Sequence, residues 1–476
     1  MKEVIYYHFS TKNKSFLNMH YYLKSKGIKN NAFFLQLLDR DLANVDPYDP
    51  HLNQYMCQKI FRECQANFWY FIREVVRIPV QGARGAGAMY ELHRGNLALN
   101  WCSMLNLNIF LELPRQNYKT VSTLVRYLYI YNFGTTNSKI AFLHKKHEEA
   151  KMNLTTLKTL RDNLPSYLQL KQTYSTDGKK LKASNTIEKI IHPLNGNEIK
   201  TIPSARSAAA GAMLLRGYTV PLMYIDEIAF IKYIKEIYLN AVPAWKTASM
   251  NARANGVPYG IICTTTPGFL TEDEGIFAYD MKEQATQFNE SMYDMSYEEL
   301  MRLIDANTRS NFVYIRYYYY QLGRSETWFK EICKDMLYSW PDIRREVLLQ
   351  WSMGVQHSPF EPEQLEYVSR NVREPKKVVY FLGKYIFNIY EEIEYSGGAP
   401  RRPPIIGVDV SGGYNRDSSA ICCIDSETTK VIGDLKCNYI STVDLAKVIY
   451  ELVSKFMPNA IVNVERNGVS KLGMVG

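Results

Sequence analysis

No run of apolar residues in the 476-residue chain is long enough to cross a bilayer. The nearest candidate, 97–113, is interrupted by Asn100, Asn106, Asn108 and Glu112. The N-terminal stretch MKEVIYYHFSTKNKSF has no apolar core followed by a small-residue cleavage site, so no signal peptide is expected. The 8 cysteines contain no CxxC pair. A structural zinc site or a disulfide framework is therefore not expected, and a reducing compartment fits. Cys422 and Cys423 are adjacent and should point to opposite faces of a strand. Internal repeats and low-complexity tracts are also missing. One further absence is local. The stretch LELPRQNYKT, 111–120, ends in Lys-Thr on entering a helix, as phosphate-binding loops do, yet it contains no glycine.

What is present is a globular composition. Hydrophobic residues make up 46% and charged residues 22%, which excludes a disordered chain. The length exceeds one ordinary core, so two domains and an extension are expected. The net charge of +9 is compatible with a polyanionic partner.

Residues 1–55 read as irregular and polar, with proline breaks in ANVDPYDPHLNQ. Residues 56–78 carry apolar residues at helical spacing and read as one or two helices. PVQGARGAGAMY is a glycine-rich loop. A helix is expected over about 91–104, a strand over 105–113, and a helix from Thr120 through TVSTLVRYLYIYNF. SKIAFLH, 138–144, reads as a buried strand and KKHEEAKMNLTTLKTLRDNL as an amphipathic helix. IEKIIHPLNGNEIKTIPSA alternates about Asn195-Gly196, a hairpin signal. VPLMYIDEIAF and PYGIICTTTPG are apolar strands with polar ends. Such alternation of strands and helices predicts a mostly parallel sheet covered on both faces. FVYIRYYYYQLG reads as a strand with two helices after it. YSGGAPRRPP, 395–404, reads as a linker and domain boundary; beyond it come two paired strands, the helix TVDLAKVIYELVSKF and a last strand, AIVNVE.

A phosphate loop needs converging main-chain N–H groups, a lysine for the phosphates and a hydroxyl for magnesium. Lys119 and Thr120 supply the last two, while Leu113 and Tyr118 stand where glycines are usual. If Tyr118 takes a positive φ, the loop carries a cost that glycine would not. Context supports the site. LMYIDE delivers Asp226 and Glu227 at a strand end, the edge where ligands sit in open parallel sheets. Asp226 suits a metal and Glu227 the polarisation of an attacking water. IICTTTPG places Thr264, Thr265 and Thr266 at the end of the next strand, where hydroxyls can sense a terminal phosphate.

Together these motifs resemble the large terminase subunit of tailed bacteriophages, a DNA-packaging motor. PRQNYKT resembles its deviant phosphate loop, YIDEIAF its Asp-Glu strand and TTTPG its coupling motif. FWYFIREVV, LPSYLQL, NGNEI and LLRG agree in order, and the resemblance spans roughly 60–476. It implies an ATP-binding loop of Pro114, Arg115, Gln116, Asn117, Tyr118, Lys119 and Thr120. Arg115 and Lys119 would contact the phosphates, Thr120 and Asp226 would hold Mg2+, and Glu227 would be the catalytic carboxylate. Thr264, Thr265 and Thr266 would couple hydrolysis to motion, with Arg216 of LLRG as a weaker sensor. The upstream glutamine that reads adenine in such proteins is missing from YELHRGN; His93 or Arg94 would have to replace it.

Beyond the linker, IIGVDVSGGYNRDSSAICCID and IVNVERNG bring acids to strand ends. Asp409, Asp417 and Glu465 are candidates for holding Mg2+ or Mn2+ in phosphodiester cleavage; Asp425 reads as structural. This pattern resembles the ribonuclease-H-like nuclease of terminases, in which a further acid lies well downstream. Only 11 residues follow Glu465 here. The nuclease is therefore expected to be C-terminally incomplete, and the chain to cleave DNA poorly or not at all.

The expected fold is α/β: a P-loop ATPase domain with a central, mostly parallel sheet, followed by a truncated ribonuclease-H-like α/β domain. The expected divisions are an extension over 1–55, the ATPase domain over 56–290, a second subdomain and linker over 291–394, and the nuclease over 395–476. The resemblance implies double-stranded viral DNA, a portal protein, a small terminase subunit and a homo-oligomeric ring, a pentamer, as partners, with no membrane. It places the chain in the host cell cytoplasm, transiently at the procapsid portal vertex and outside the mature virion. The basic run DGKKLK, 177–182, is a candidate DNA contact. The alternatives are a helicase-like DNA-dependent ATPase and a non-catalytic subunit that holds DNA or portal.

Overall fold

The computed structural model describes residues 11–80, 87–170, 185–216, 218–351, 371–411 and 418–465, the backbone of Tyr7, His8 and Ser184, and two isolated positions, Gln364 and Tyr367. Asp417, most of the glycine-rich loop, the run 177–182 and everything after Glu465 lie outside the described residues. The chain divides into two compact units. The first takes 1–279, 287–294 and 313–356, and the second 280–286, 295–312 and 357–476.

The first unit begins with helix α1 (Lys14–Ser25), which buries Phe16, Met19 and Leu23. Residues 11–55 are thus not the polar extension expected over 1–55 from composition. Phe33 and Phe34 both pack edge-on against Trp69, and the Asn13 amide donates to Arg73 O and Tyr90 O. A few well-placed aromatics build this segment into the body despite its polar average. Helices α2 (Gln54–Ala66) and α3 (Arg94–Met104) precede strand β1 (Asn108–Glu112).

From there the chain alternates: α4 (Lys119–Tyr129), β2 (Lys139–Leu143), α5 (His147–Asp162), the hairpin β3 (Lys189–Ile191) and β4 (Glu198–Thr201), and α6 (Ala208–Leu214). Then come β5 (Leu222–Asp226), α7 (Ile234–Ala254), β6 (Gly260–Thr265), β7 (Phe312–Arg316), α8 (Glu326–Asp335) and α9 (Trp340–Glu346). Five parallel strands run side by side in the order β1, β6, β5, β2, β4. Among the described residues the sheet has nine strands, β3 continuing it antiparallel beyond β4 and β7 flanking β1. Every residue of β5 and β6 is buried, as strands covered on both faces require.

The main sheet of the second unit has six strands among the described residues: β8 (Lys377–Phe381), β9 (Tyr385–Ile389), β10 (Pro404–Asp409), β11 (Ser419–Asp425), β12 (Val431–Cys437) and, after helix α10 (Thr442–Phe456), β13 (Ile461–Val464). Their order is β8, β9, β12, β11, β10, β13, with only β10 and β13 parallel among the pairings given by register. Leu445, Val448 and Leu452 of α10 share a core with Phe387, Ile406, Ile421 and Leu435. Cys422 is exposed and Cys423 buried, on opposite faces as expected, and all eight cysteines are free.

The 395 boundary moves. Residues 395–404 are not a linker: Tyr395–Ser396 pairs with Ala399–Pro400 around Gly397 and Gly398, both at positive φ. The second sheet already starts at Lys377, because β8 and β9 send Phe381, Tyr385 and Phe387 into its core. Residues 291–394 are likewise shared between the units instead of forming a block of their own.

Candidate functional site

The parallel register sets the site. Asp226 pairs with Thr264, and Thr265 with Glu112, so β5, β6 and β1 end at one edge. Leu143 pairs with Ile225, which brings His144 beside Asp226. Between β1 and α4 runs the loop 113–118.

That loop is built without glycine by two devices. Gln116 and Tyr118 take left-handed backbone conformations, with φ of 60° and 57°. Each costs an L-residue about 1 kcal/mol. The cost attached to a positive φ at Tyr118 therefore applies, and it applies at Gln116 as well, whereas Leu113, the other position where glycine is usual, is not at positive φ. The second device is Asn117, which is 4% exposed. Its amide donates to Arg115 O (2.9 Å) and Pro114 O (3.3 Å), bracing the loop from inside. Tyr118 is the N-cap of α4, but its side chain does not cap the helix. Helix N-termini present N–H groups and a positive dipole end suited to anions.

Lys119 is 7% exposed, and its ammonium donates to Leu113 O at 2.7 Å. Burial pulls its proton affinity down, while Glu227 and Asp226 oppose that. Asp226 is 2% exposed and fully engaged. Oδ2 accepts from the Thr120 hydroxyl (3.1 Å) and the Asn153 amide (3.0 Å), and Oδ1 accepts from Thr264. A carboxylate and a hydroxyl in contact form the hard-oxygen set that Mg2+ prefers. Glu227 follows in a left-handed conformation, φ 55°. Burial raises its pKa; Lys119 counteracts this and Asp226 reinforces it. Thr264, Thr265 and Thr266 are all 0% exposed. Thr265 accepts from Ala229 N (3.4 Å), two residues past Glu227.

Arg115, 63% exposed in its side chain, has partners outside the loop. Its backbone N–H donates to Glu346 O (3.1 Å), and its guanidinium pairs with the Glu346 carboxylate at 2.5 Å. Glu346 comes from α9, and Trp351 just beyond it donates to the buried Glu112 (2.9 Å). Arg216 is not brought to the site. It is exposed, and its guanidinium lies 3.8 Å from Met213 Sδ. Of the candidate base readers, Arg94 is fully engaged, whereas His93 uses only Nδ1 and its buried Nε2 has no hydrogen-bond partner. Arg94 pairs with Glu290 and lies against the rings of Tyr22 and Tyr317. His93 caps α3, accepting from Gly95 N and Asn96 N.

Asn153, His144, Glu149, Glu346 and Glu112 were not singled out from the sequence. Only Glu112 carried a signal, lying inside the glycine-free stretch; the others are single polar residues on ordinary helices or strand ends.

In the second unit Asp409 ends β10 and Glu465 follows β13, whose Val464 pairs with Val408. Glu465 N donates to Val408 O at 2.9 Å. Both acids are exposed and line a shallow depression of about 400 Å³ with Gly407, Cys422 and Asn463. Asp417 is outside the described residues, among which no group of three metal-ligating side chains occurs. Asp425 closes a turn, accepting from Thr428 N and Glu427 N, which holds its carboxyl below the ordinary range.

No protein-family model matches the chain, and no curated protein does. Solved structures overlay weakly. The large terminase ATPase domain of Thermus phage P74-26 is 15% identical, over 55% of this chain and 94% of that one, with a TM-score of 0.36. The large terminase of a thermophilic bacteriophage in complex with ADP is 11% identical, over 80% of this chain and 79% of that one, with a TM-score of 0.34. At such scores the functional reading rests on the residues. Among the described residues no helix is long and apolar enough to cross a membrane.

Proposed function

We propose that the chain is an ATP-driven motor on double-stranded DNA, of the large-terminase kind its motifs resemble. One observation carries the reading: Lys119, Thr120, Asp226 and Glu227 meet at the C-terminal edge of a parallel sheet, ahead of an uncapped helix N-terminus. Lys119 and the first N–H groups of α4 would hold the β- and γ-phosphates, Lys119 leaving Leu113 O to do so. Thr120 and Asp226 would hold Mg2+, which supplies charge neutralisation on the phosphates when bound. Glu227, its proton affinity raised by burial, would orient the attacking water and take its proton. Thr264 shares Asp226 and lies at the start of the threonine run, so a change at the phosphates can reach β6.

In the same reading Asp409 and Glu465 of the second unit, with Asp417 as the supplementary acid, would hold Mg2+ or Mn2+ for phosphodiester cleavage, an activity expected to be weak or absent in this chain. Viral duplex DNA, a portal, a small terminase subunit and a pentameric ring are the partners of this reading, in host cytoplasm and at the procapsid portal vertex. The duplex would be held through its phosphates, without sequence preference. The second reading is a DNA- or portal-holding subunit without turnover. The glycine-free loop and the Arg115–Glu346 pair favour it. DNA-stimulated ATP hydrolysis decides between them: the motor reading expects turnover in the wild type that Glu227→Gln and Lys119→Ala abolish. Equal rates in wild type and Glu227→Gln would refute it.

A further inference from the structure

Helix α5 contributes to the nucleotide edge in a way that the motifs do not record. Glu149 and Asn153 lie one turn apart and therefore on one face. Both reach towards Asp226. Asn153 does so directly, its amide donating to Oδ2 at 3.0 Å. Glu149 lies behind His144: Glu149 Oε2 is 2.7 Å from His144 Nδ1, without hydrogen-bond geometry, and His144 Nε2 lies 3.7 Å from Asp226 Oδ2. His144 is 8% exposed and held at the end of β2, next to β5 in the sheet.

We propose that Asn153, supported by the Glu149–His144 pair, is a positioning residue for divalent-metal binding at Asp226. The proposal rests on the nucleotide reading of this edge. A carboxylate rotates broadly about its last torsion. Thr264 fixes only Oδ1. Oδ2 has two donors, Thr120 and Asn153, and the Thr120 hydroxyl is itself a candidate metal ligand. That hydroxyl can bind a cation through a lone pair and still donate its proton, and the Tyr224 hydroxyl also lies against Asp226, but Asn153 is a donor to Oδ2 that takes no part in binding the cation. Without it Oδ2 keeps the Thr120 hydroxyl but loses its amide donor, so the carboxylate is held less firmly in plane. Partners that hydrogen-bond a ligating carboxylate change metal affinity about 10- to 100-fold when removed.

The test uses the full chain with a fluorescent ATP analogue at fixed concentration. Mg2+ is titrated by fluorescence, and Mn2+ by the paramagnetic resonance of the free ion. Asn153→Ala is expected to raise the half-saturating metal concentration about tenfold. Nucleotide binding in EDTA should stay at the wild-type level. Asn153→Ser, whose hydroxyl is too short to reach, should behave likewise and serves if the alanine variant folds poorly. Glu149→Gln should raise the half-saturation by less. A purely structural role would lower the unfolding temperature and leave the metal dependence alone. Wild-type half-saturation in folded Asn153→Ala or Asn153→Ser would overturn the proposal. A wild type that binds no nucleotide, with Lys119→Ala no different, is a separate result: it would refute the nucleotide reading on which the proposal stands.

Discussion

The two acidic sites of this chain are built in opposite ways. Asp226 is 2% exposed and accepts from Thr120, Asn153 and Thr264. Asp409 and Glu465 are exposed, at and just beyond the ends of two strands joined by a parallel ladder. A buried carboxylate without partners would cost several kcal/mol, so the first site has to be held in place before any ligand arrives. The second pays no such desolvation cost and gains no such rigidity. The first unit therefore stores its chemistry in hydrogen bonds and strained backbone, and the second in the convergence of strand ends.

This contrast can be broken at several points. The largest effect is expected at Glu227. Glu227→Gln should lower ATP hydrolysis at least about 100-fold while nucleotide binding, read by fluorescence, survives. Next comes acid stability. Burial pushes the His93 and His192 imidazoles down to about 4, against about 6.5 in an unfolded chain. The unfolded chain therefore takes up the proton first. Stability is full above about pH 6.5 and falls as pH drops towards 4. Protonation would also remove the acceptor with which His93 Nδ1 caps α3. His93→Asn keeps a capping oxygen and loses the titration. Its denaturation midpoint should fall less between pH 6.5 and 4 than that of the wild type.

A smaller effect is expected in the loop. Tyr118→Gly relieves a left-handed tyrosine and should stabilise the chain by about 1 kcal/mol in a denaturant titration. A loss of nucleotide affinity in that variant would show that the ring itself touches the ligand. The smallest effect is expected in the second unit. Asp409→Asn should change stability by less than about 0.5 kcal/mol, as exposed residues do. A large change there would erase the difference between the sites.

Much of this was legible in the residues, and the failures have physical causes. The strands at 139–143, 222–226 and 260–265 were plain because buried parallel strands are short apolar runs with polar ends. Of the two positions where glycine is usual, Tyr118 is left-handed and Leu113 is not, so the missing glycines point to the strain without locating it. The 21-residue helix α7 was not assigned, although Ile234, Ile237, Ala241, Trp245 and Ala248 line its buried face; Pro243 in its middle interrupts the pattern. The turn at Gly397-Gly398 was read as a linker because composition cannot tell a hairpin from a boundary. Asn153 and Glu346 were invisible for another reason. Their partners, Asp226 and Arg115, lie 73 and 231 residues away in sequence, and only the folded sheet brings them together. The order of the motifs could be read; the residues that brace them could not.

The most direct test of the account is the affinity of the glycine-free loop for ATP in the presence of Mg2+, measured by calorimetry on the full chain and on Lys119→Ala. The account predicts one site per chain, weakened at least tenfold by the substitution. No binding in the wild type, or equal binding in the two proteins, would contradict it.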